Sequence, residues 1–233
     1  MNKLSIIDPY YIEERSIHRG IVKALKYLNG NFLDIGCGGQ AYKNLIRPKV
    51  TVYFALDKDI RVFKDCDGIH TVGDFYHLPF KSGVLDSVLS SQTLEMATKP
   101  DLVVQEMNRV LKQGGFLVLS VSQTWPLWSE YDYFRFTSKG IGYLLYQAGF
   151  EIVTLEPRGG FWVLISQLVN IHIHHSTSGC DWKKGMYGLL NRITDYFKNV
   201  IVVAISLIGP LFDVLDKQKL NTLGYIVVAK KLR

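Results

Sequence analysis

Between Pro9 and Leu28 the apolar residues Ile12, Ile17, Ile21, Leu25 and Leu28 recur at helical steps, and Asn29 and Gly30 follow. That period predicts one amphipathic helix with a turn at its end. The pattern then shifts to short β-rich runs. Phe32, Leu33 and Ile35 lead into a glycine turn, Val50 to Leu56 (VTVYFAL) ends at Asp57, and Gly68 to Val72 precedes Gly73 and Asp74. Val84 to Ser90 predicts a fourth strand, Lys99 to Leu111 a helix, Gly114 and Gly115 a turn, and Phe116 to Val121 a fifth strand. Thr137 to Ala148 reads as a helix stopped by Gly149, Phe150 to Leu155 as a sixth strand, and Gly224 to Ala229 as a closing one. Strands alternating with helices predict a parallel sheet covered on both faces, an α/β fold.

The closing strand is displaced from the sixth by about sixty residues, more than an ordinary connection. The intervening insertion opens with GGFWVLISQLVNIHIHH, passes through the polar STSGCDWKKG, and continues with YGLLNRITDYFKNVIVVAISLIGPLFDVLDKQK. It reads as helical and apolar. The expected organisation is an N-terminal helical segment over 1–30, a core of 31–157 plus 221–233, and the insertion over 158–220. Its charge-free run, Val200 to Phe212, is 13 residues long. As a helix that is ~20 Å, short of the ~30 Å hydrocarbon core, so it is not expected to cross a bilayer alone. The insertion carries seven Lys and Arg (Arg158, Lys183, Lys184, Arg192, Lys198, Lys217, Lys219) against four Asp (Asp181, Asp195, Asp213, Asp216). Basic flanks around short apolar helices fit an element lying on a membrane surface; a lid over the sheet and a homodimer contact fit as well.

Composition narrows the setting. With 233 residues, 48% of them hydrophobic, the chain can bury a full core, and one domain with an embellishment is expected. A net charge of +6 suggests mild attraction to anionic lipid or nucleotide. Cys37, Cys66 and Cys180 lack zinc-type spacing and are odd in number, which points to a reducing, cytoplasmic location, peripheral to the inner face of the membrane if the insertion binds there. Asp8, Glu13 and Glu14 interrupt the start too early for a signal peptide. His172, His174 and His175 with Cys180 and Asp181 match no standard zinc spacing, so no metal is expected. The basic charge is not concentrated in one tract, so nucleic acid is not an expected partner.

The chemistry gathers at NFLDIGCGGQA, Asn31 to Ala41. Gly36, Gly38 and Ala41 satisfy a loose dinucleotide fingerprint, and Asp57 stands where an acidic residue would hydrogen-bond ribose hydroxyls. That much fits an NAD-type or an adenosine-type ligand. Asp34 distinguishes them, because a carboxylate repels a pyrophosphate but gains a charge-assisted hydrogen bond from an ammonium group. S-adenosylmethionine carries an ammonium and a sulfonium. Asp74, in GDFYHLPF, adds a third acid at the same sheet edge and could accept from an adenine amino group.

LDIGCGG, ALDKD, GDFYHLPF, DSVLSSQTLEM and EMNRVLKQGGFLVLSV, in this order, resemble the class I S-adenosylmethionine-dependent methyltransferases, in the branch most like small-molecule and glycan methyltransferases. The resemblance covers Asn31 to Pro157 and the closing strand. It implies a Rossmann-like sheet of seven strands with the last antiparallel, helices on both faces, and the helical insertion before that last strand. It also implies that Gly36 and Gly38 let the backbone approach the cofactor, with Asp34 near the methionine ammonium, Asp57 on the ribose and Asp74 at the adenine edge. Two positions depart from the pattern. The family's third glycine falls on Gln40, and its LEH is Leu94, Glu95, Met96 here, so no histidine role carries over. A turn of GxGxxPY type is similar to Ala41 and Tyr42.

Methyl transfer from a sulfonium is an in-line displacement in which orientation supplies much of the acceleration. For a hydroxyl acceptor a general base would help, and Glu95, His77 and Asp132 are the candidates, Glu95 first. The aromatic segment WPLWSEYDYFRFT, Trp125 to Thr137, suits ring recognition, and a YFRYT-like element in glycan-cluster methyltransferases makes Tyr133, Arg135 and Phe136 the substrate-side candidates. A hydrophobic cover over the sheet is the alternative. The expected reaction is O-methylation of a sugar or lipid-linked glycan. A quinone or other apolar acceptor and a cofactor-binding, non-catalytic partner protein are the competing readings.

Overall fold

A computed structural model describes residues 5–63, 69–177 and 186–232. Cys66, Cys180, Asp181, Lys183 and Lys184, as well as the Gly68 start expected for the third strand, lie outside those residues. The chain divides into two bodies, His18–Arg158 with Gly224–Arg233, and Asn2–Ile17 with Gly159–Leu223. The boundary falls inside the first helix.

The larger body is built on one sheet. Its strands are β1 (Asn31–Ile35), β2 (Val52–Asp57), β3 (Ile69–Val72), β4 (Leu85–Ser91), β5 (Leu111–Ser122), β6 (Phe150–Pro157) and β7 (Gly224–Lys231), in the order β3-β2-β1-β4-β5-β7-β6. β1 to β5 pair in parallel, whereas β7 runs antiparallel to both β5 and β6. This is the seven-stranded, Rossmann-like arrangement expected, with the displaced last strand inserted antiparallel. The order reverses between β1 and β4, which opens a crevice at the carboxyl edge there.

Strand alternation sorts the side chains. Leu33 pairs with Val88 of β4, and both belong to the core with Ile35, Leu117, Leu119 and Val227. Phe32 and Asp34 project to the opposite face. Helix α3 (Pro100–Val110) starts with Pro at its first turn and buries Val103, Val104, Met107 and Val110, one helical stripe, into that core. Full burial of each large side chain stabilises by about 1.5–3 kcal/mol. Helix α4 (Ser138–Gln147) is capped by the Thr137 hydroxyl, which accepts from the Gly140 N–H at 3.0 Å, and buries Ile141 and Leu145. Helix α1 spans Tyr11–Ala24.

One local expectation changes. Gly114 and Gly115 do not separate a helix from a strand: β5 already starts at Leu111, paired with Leu85, and the register slips before Ser87 pairs with Phe116. Gly114 has φ +76°, and a Cβ on Gly115 would crowd the carbonyls of Lys112 and Asp86, so the glycines form a bulge within the strand. The helix after the glycine turn, α2 (Lys43–Ile46), has only four residues before a 3₁₀ turn containing Pro48.

The smaller body holds α5 (Phe161–Thr177) and α6 (Met186–Phe212), packed on each other as the helical insertion expected. Asp213 receives the N–H groups of Gly160 and Val163, and Asp216 that of Phe161, so the end of α6 caps the start of α5. The helical apolar stretch Tyr196–Leu215 has 20 residues, beyond the charge-free 13, and is long and apolar enough to cross a membrane by length and composition. The expectation that it is too short is therefore corrected: the helix continues through Lys198 and Asn199 on one side and past Phe212 on the other.

Candidate cofactor site

The site lies where β1, β2 and β4 end. After Ile35 the chain turns through Gly36 (φ +65°) and Gly38 (φ +47°) to Gln40 (φ +53°), all in the left-handed region that favours glycine. A Cβ on Gly36 would overlap the Thr93 side chain from β4's end, so only glycine fits between the two strands. Gly38 and Gly39 are the reverse case, with no atom within 4 Å of an added Cβ. Bare backbone there faces open space.

Asp34 is 3% exposed, and Tyr53 of β2 donates its hydroxyl to the carboxyl at 2.5 Å. Burial raises the carboxyl from its ordinary value to about 7, against the Tyr53 hydrogen bond, and the Asp57 charge adds to the rise. Asp57 ends β2 and bridges two turns: one carboxylate oxygen accepts from the Gly38 N–H at 2.9 Å, the other from the Asp59 N–H at 3.0 Å. Each oxygen keeps a lone pair for another donor. Asp74 is exposed after β3, and its carboxyl accepts from the Tyr76 N–H at 3.0 Å. His77 is exposed beside it, and Leu78 is tied to Glu106. Asp34 and Asp57 are thus brought together electrostatically, and Asp74 follows Gly73, whose N–H donates to the Asp57 carbonyl at 3.1 Å.

Gln40 occupies the position of the absent third glycine. Its side chain is buried, and neither amide atom has a hydrogen-bond partner among the described residues. An orphaned buried amide is destabilising by about 1–3 kcal/mol until a ligand satisfies it.

At the ends of β4 and β5 lies a second polar group. Glu95 is buried, its carboxylate accepts the Ser122 N–H at 2.5 Å, and its carbonyl accepts the N–H groups of Tyr133 and Phe134. Burial pushes its carboxyl up, opposed by its backbone hydrogen bonds and by the charges of Arg158 and Arg135. Gln92 (φ +54°) joins the same edge, donating to Ser120 and accepting from the Ser122 hydroxyl.

The aromatic segment is held by its own arginine. Arg135 makes a two-pronged pair with Asp132 and donates to the carbonyls of Trp125, Pro126 and Phe134. Its donors are directed into the loop. Phe136 is a core residue, 5% exposed and packed with Ile141 and Leu145, because its position follows the loop's return to β5 through its N–H bond to Ser122. Trp128, Tyr131 and Tyr133 are the rings left outward, each at least half exposed, and Lys58 beside Asp57 lies 5.9 Å from the Tyr131 ring.

Sequence reasoning did not name Tyr53, Thr93, Gln92 or Ser122. Strand alternation carried a signal for Tyr53, which shares a face with Ala55, the register partner of Asp34. Among the described residues no group of three or more His, Cys, Asp or Glu is placed to hold a metal ion.

This sheet order, with its acids at successive strand ends, is the class I methyltransferase fold. Residues 33–119 match the family described as a methyltransferase domain, and the cofactor of such a domain is S-adenosylmethionine. An uncharacterised protein of Methanocaldococcus jannaschii is 28% identical over 117 residues, 49% of this chain and 56% of that protein, so the match spans about half of each. Among solved structures, the complex between the Haloferax volcanii Trm112 methyltransferase activator and a methyltransferase aligns at TM-score 0.61 with 17% identity, covering 97% of this chain and 94% of the matched one. An S-adenosylmethionine-dependent methyltransferase from Archaeoglobus fulgidus aligns at 0.58 with 15% identity, covering 94% of each. At these identities the structural likeness is one of fold.

The residues present fit that cofactor. A buried carboxyl held near neutrality suits an incoming cation, the bare backbone at Gly38 and Gly39 leaves room for a ligand, and the Gln40 amide lacks partners. A dinucleotide fits less well, because the four-residue α2 supplies little helix dipole for a pyrophosphate and Asp34 would repel it.

Proposed function

We propose that the chain is an S-adenosylmethionine-dependent methyltransferase that methylates a hydroxyl oxygen on a sugar or lipid-linked glycan. The observation that carries the cofactor half is Asp34, a buried carboxyl raised to about 7 two residues before a glycine turn with open space above it. In this reading Asp34 faces the methionine ammonium, Asp57 accepts from the ribose hydroxyls with its remaining lone pairs, and Asp74 accepts from the adenine amino group. The backbone of Gly36 and Gly38 lines the approach. Bound there, the cofactor supplies an electrophilic methyl group on its sulfonium.

The chain's own work is then to orient an acceptor oxygen in line with that methyl group. The outward rings of Trp128, Tyr131 and Tyr133 support a ring-shaped acceptor, since aromatic faces stack on sugar rings. Arg135 and Asp132 hold those rings in place. Glu95 is the general-base candidate: one carboxyl oxygen accepts from the Ser122 N–H, the other is buried without a hydrogen-bond partner among the described residues, and its carbonyl anchors Tyr133 and Phe134.

Methyl-labelled cofactor, incubated with the protein and a panel of free sugars, lipid-linked oligosaccharides and quinones, tests this directly. Label recovered on a sugar oxygen is the expected result. Label confined to a quinone would overturn the acceptor class, and cofactor binding without transfer to any member of a broad panel would favour the non-catalytic reading.

A further inference from the structure

Helix α5 buries polar side chains beside the apolar Val163, Leu164 and Ile171, and exposes His172 and His175 near its end. Ser166, Gln167 and Asn170 are buried, whereas Phe161, Trp162, Ile165 and Val169 are 38–41% exposed. α6 and the turn after it do the same: Ser206 and Asp213 are buried, and Leu207, Ile208, Leu211 and Phe212 are 47–72% exposed. On a water-soluble surface such polar side chains face solvent and such apolar ones are covered.

The buried polar groups bind within this body. Asn170 donates to the Ser206 hydroxyl at 2.9 Å, and Gln167 joins the Pro9 carbonyl and the Glu13 N–H. A Cβ on Gly209 would overlap Ser166, so the two helices touch through small residues. Small and hydrogen-bonding side chains between helices, with apolar side chains outside, is how helices pack in lipid, where the acyl chains solvate the outer face.

Length and charge agree. The apolar helix Tyr196–Leu215 has 20 residues, ~30 Å, the thickness of a hydrocarbon core, and only 22% of its apolar window is buried. Lys198 stands near one end, and Lys217 and Lys219 follow the other, where anionic headgroups attract them. At that second end Asp213 and Asp216 are occupied by the α5 N–H groups. Phe161, Trp162 and Phe212 cluster at the same end with ring centroids 5.4 and 5.5 Å apart, an interfacial aromatic group. The chain enters and leaves the hairpin at this end, so both connections stay on one side of a bilayer.

We propose that the α5–α6 hairpin is embedded in an anionic lipid bilayer, its outer apolar face among the acyl chains and its lysines and aromatic cluster at the headgroups. The test is flotation of the full-length protein with phosphatidylcholine–phosphatidylglycerol vesicles, beside the variant Leu207→Glu/Leu211→Glu. The wild-type protein should float with the vesicles and resist release by high salt, and the variant's floating fraction should fall at least ~10-fold. A melting curve of the variant followed by circular dichroism establishes that it is folded. Wild-type protein left at the bottom of the gradient, or released by salt, would overturn the proposal. So would a wild-type dimer in sedimentation equilibrium that the variant dissociates, with no vesicle binding by either, which would assign the face to a second copy of the chain.

Discussion

Asp34 is penalised by its own fold in the free protein. Its carboxyl has an ordinary value near 3.8 and a folded value of about 7, so the folded state disfavours the carboxylate form. The penalty is absent below about pH 4, grows between pH 4 and 7, and is complete above 7. Asp34→Asn should therefore raise the stability of the cofactor-free protein by ~1–3 kcal/mol at pH 8 and leave it nearly unchanged at pH 4, as read by thermal melts across pH. Cofactor affinity should move the other way: wild-type binding weakens by about tenfold per pH unit below 7, as the carboxyl takes up a proton, and the Asn variant loses that pH dependence. Asp57→Ala removes the acceptor for Gly38 and Asp59 N–H groups and should weaken cofactor binding by ~1–3 kcal/mol. An unchanged dissociation constant would take Asp57 out of the site. Asp34, Asp57 and the glycines were legible in the sequence because strand ends and turns are marked by glycine and by the end of a β-branched run. Tyr53 and the orphaned Gln40 amide were not, since partners across strands and the burial of a turn side chain depend on register.

Elements carry the positioning. The Trp125–Arg135 segment has no regular structure of its own, yet one guanidinium joins Asp132 to three carbonyls, and the Glu95 carbonyl holds its far end. Arg135→Ala should make this segment the first site of limited proteolysis and raise the acceptor KM, while the cofactor dissociation constant, measured by calorimetry, stays within about twofold. The sequence showed an aromatic cluster with charges at this place. It did not separate Phe136, which turns into the core, from Tyr133, which turns out, because that depends on where the chain re-enters the sheet. The Gly114–Gly115 pair was misleading for a similar reason: the dipeptide reads as a turn, and only the partner strand's register reveals a bulge. In the hairpin, Asp213→Ala leaves the Gly160 and Val163 N–H groups uncapped and should lower thermal stability by about 1–2 kcal/mol.

For the whole molecule, alternating strands and helices led from the sequence to the class I sheet, including its displaced last strand. The insertion was legible as apolar and helical, but its buried polar groups were not: Asn170 and Ser206 look like solvent-facing residues until their hydrogen bond places them between helices, as the close approach of Gly209 does Ser166. The domain match over residues 33–119, the stretch that carries the acids and glycines, and the fold likeness converge on a methyltransferase fold. Calorimetric titration of the intact protein with S-adenosylmethionine, S-adenosylhomocysteine and NADH tests that convergence most directly. Saturable binding of the first two, weakened by Asp57→Ala and by lowering the pH below 7, with no heat from NADH, is the predicted result; binding of NADH alone would contradict it.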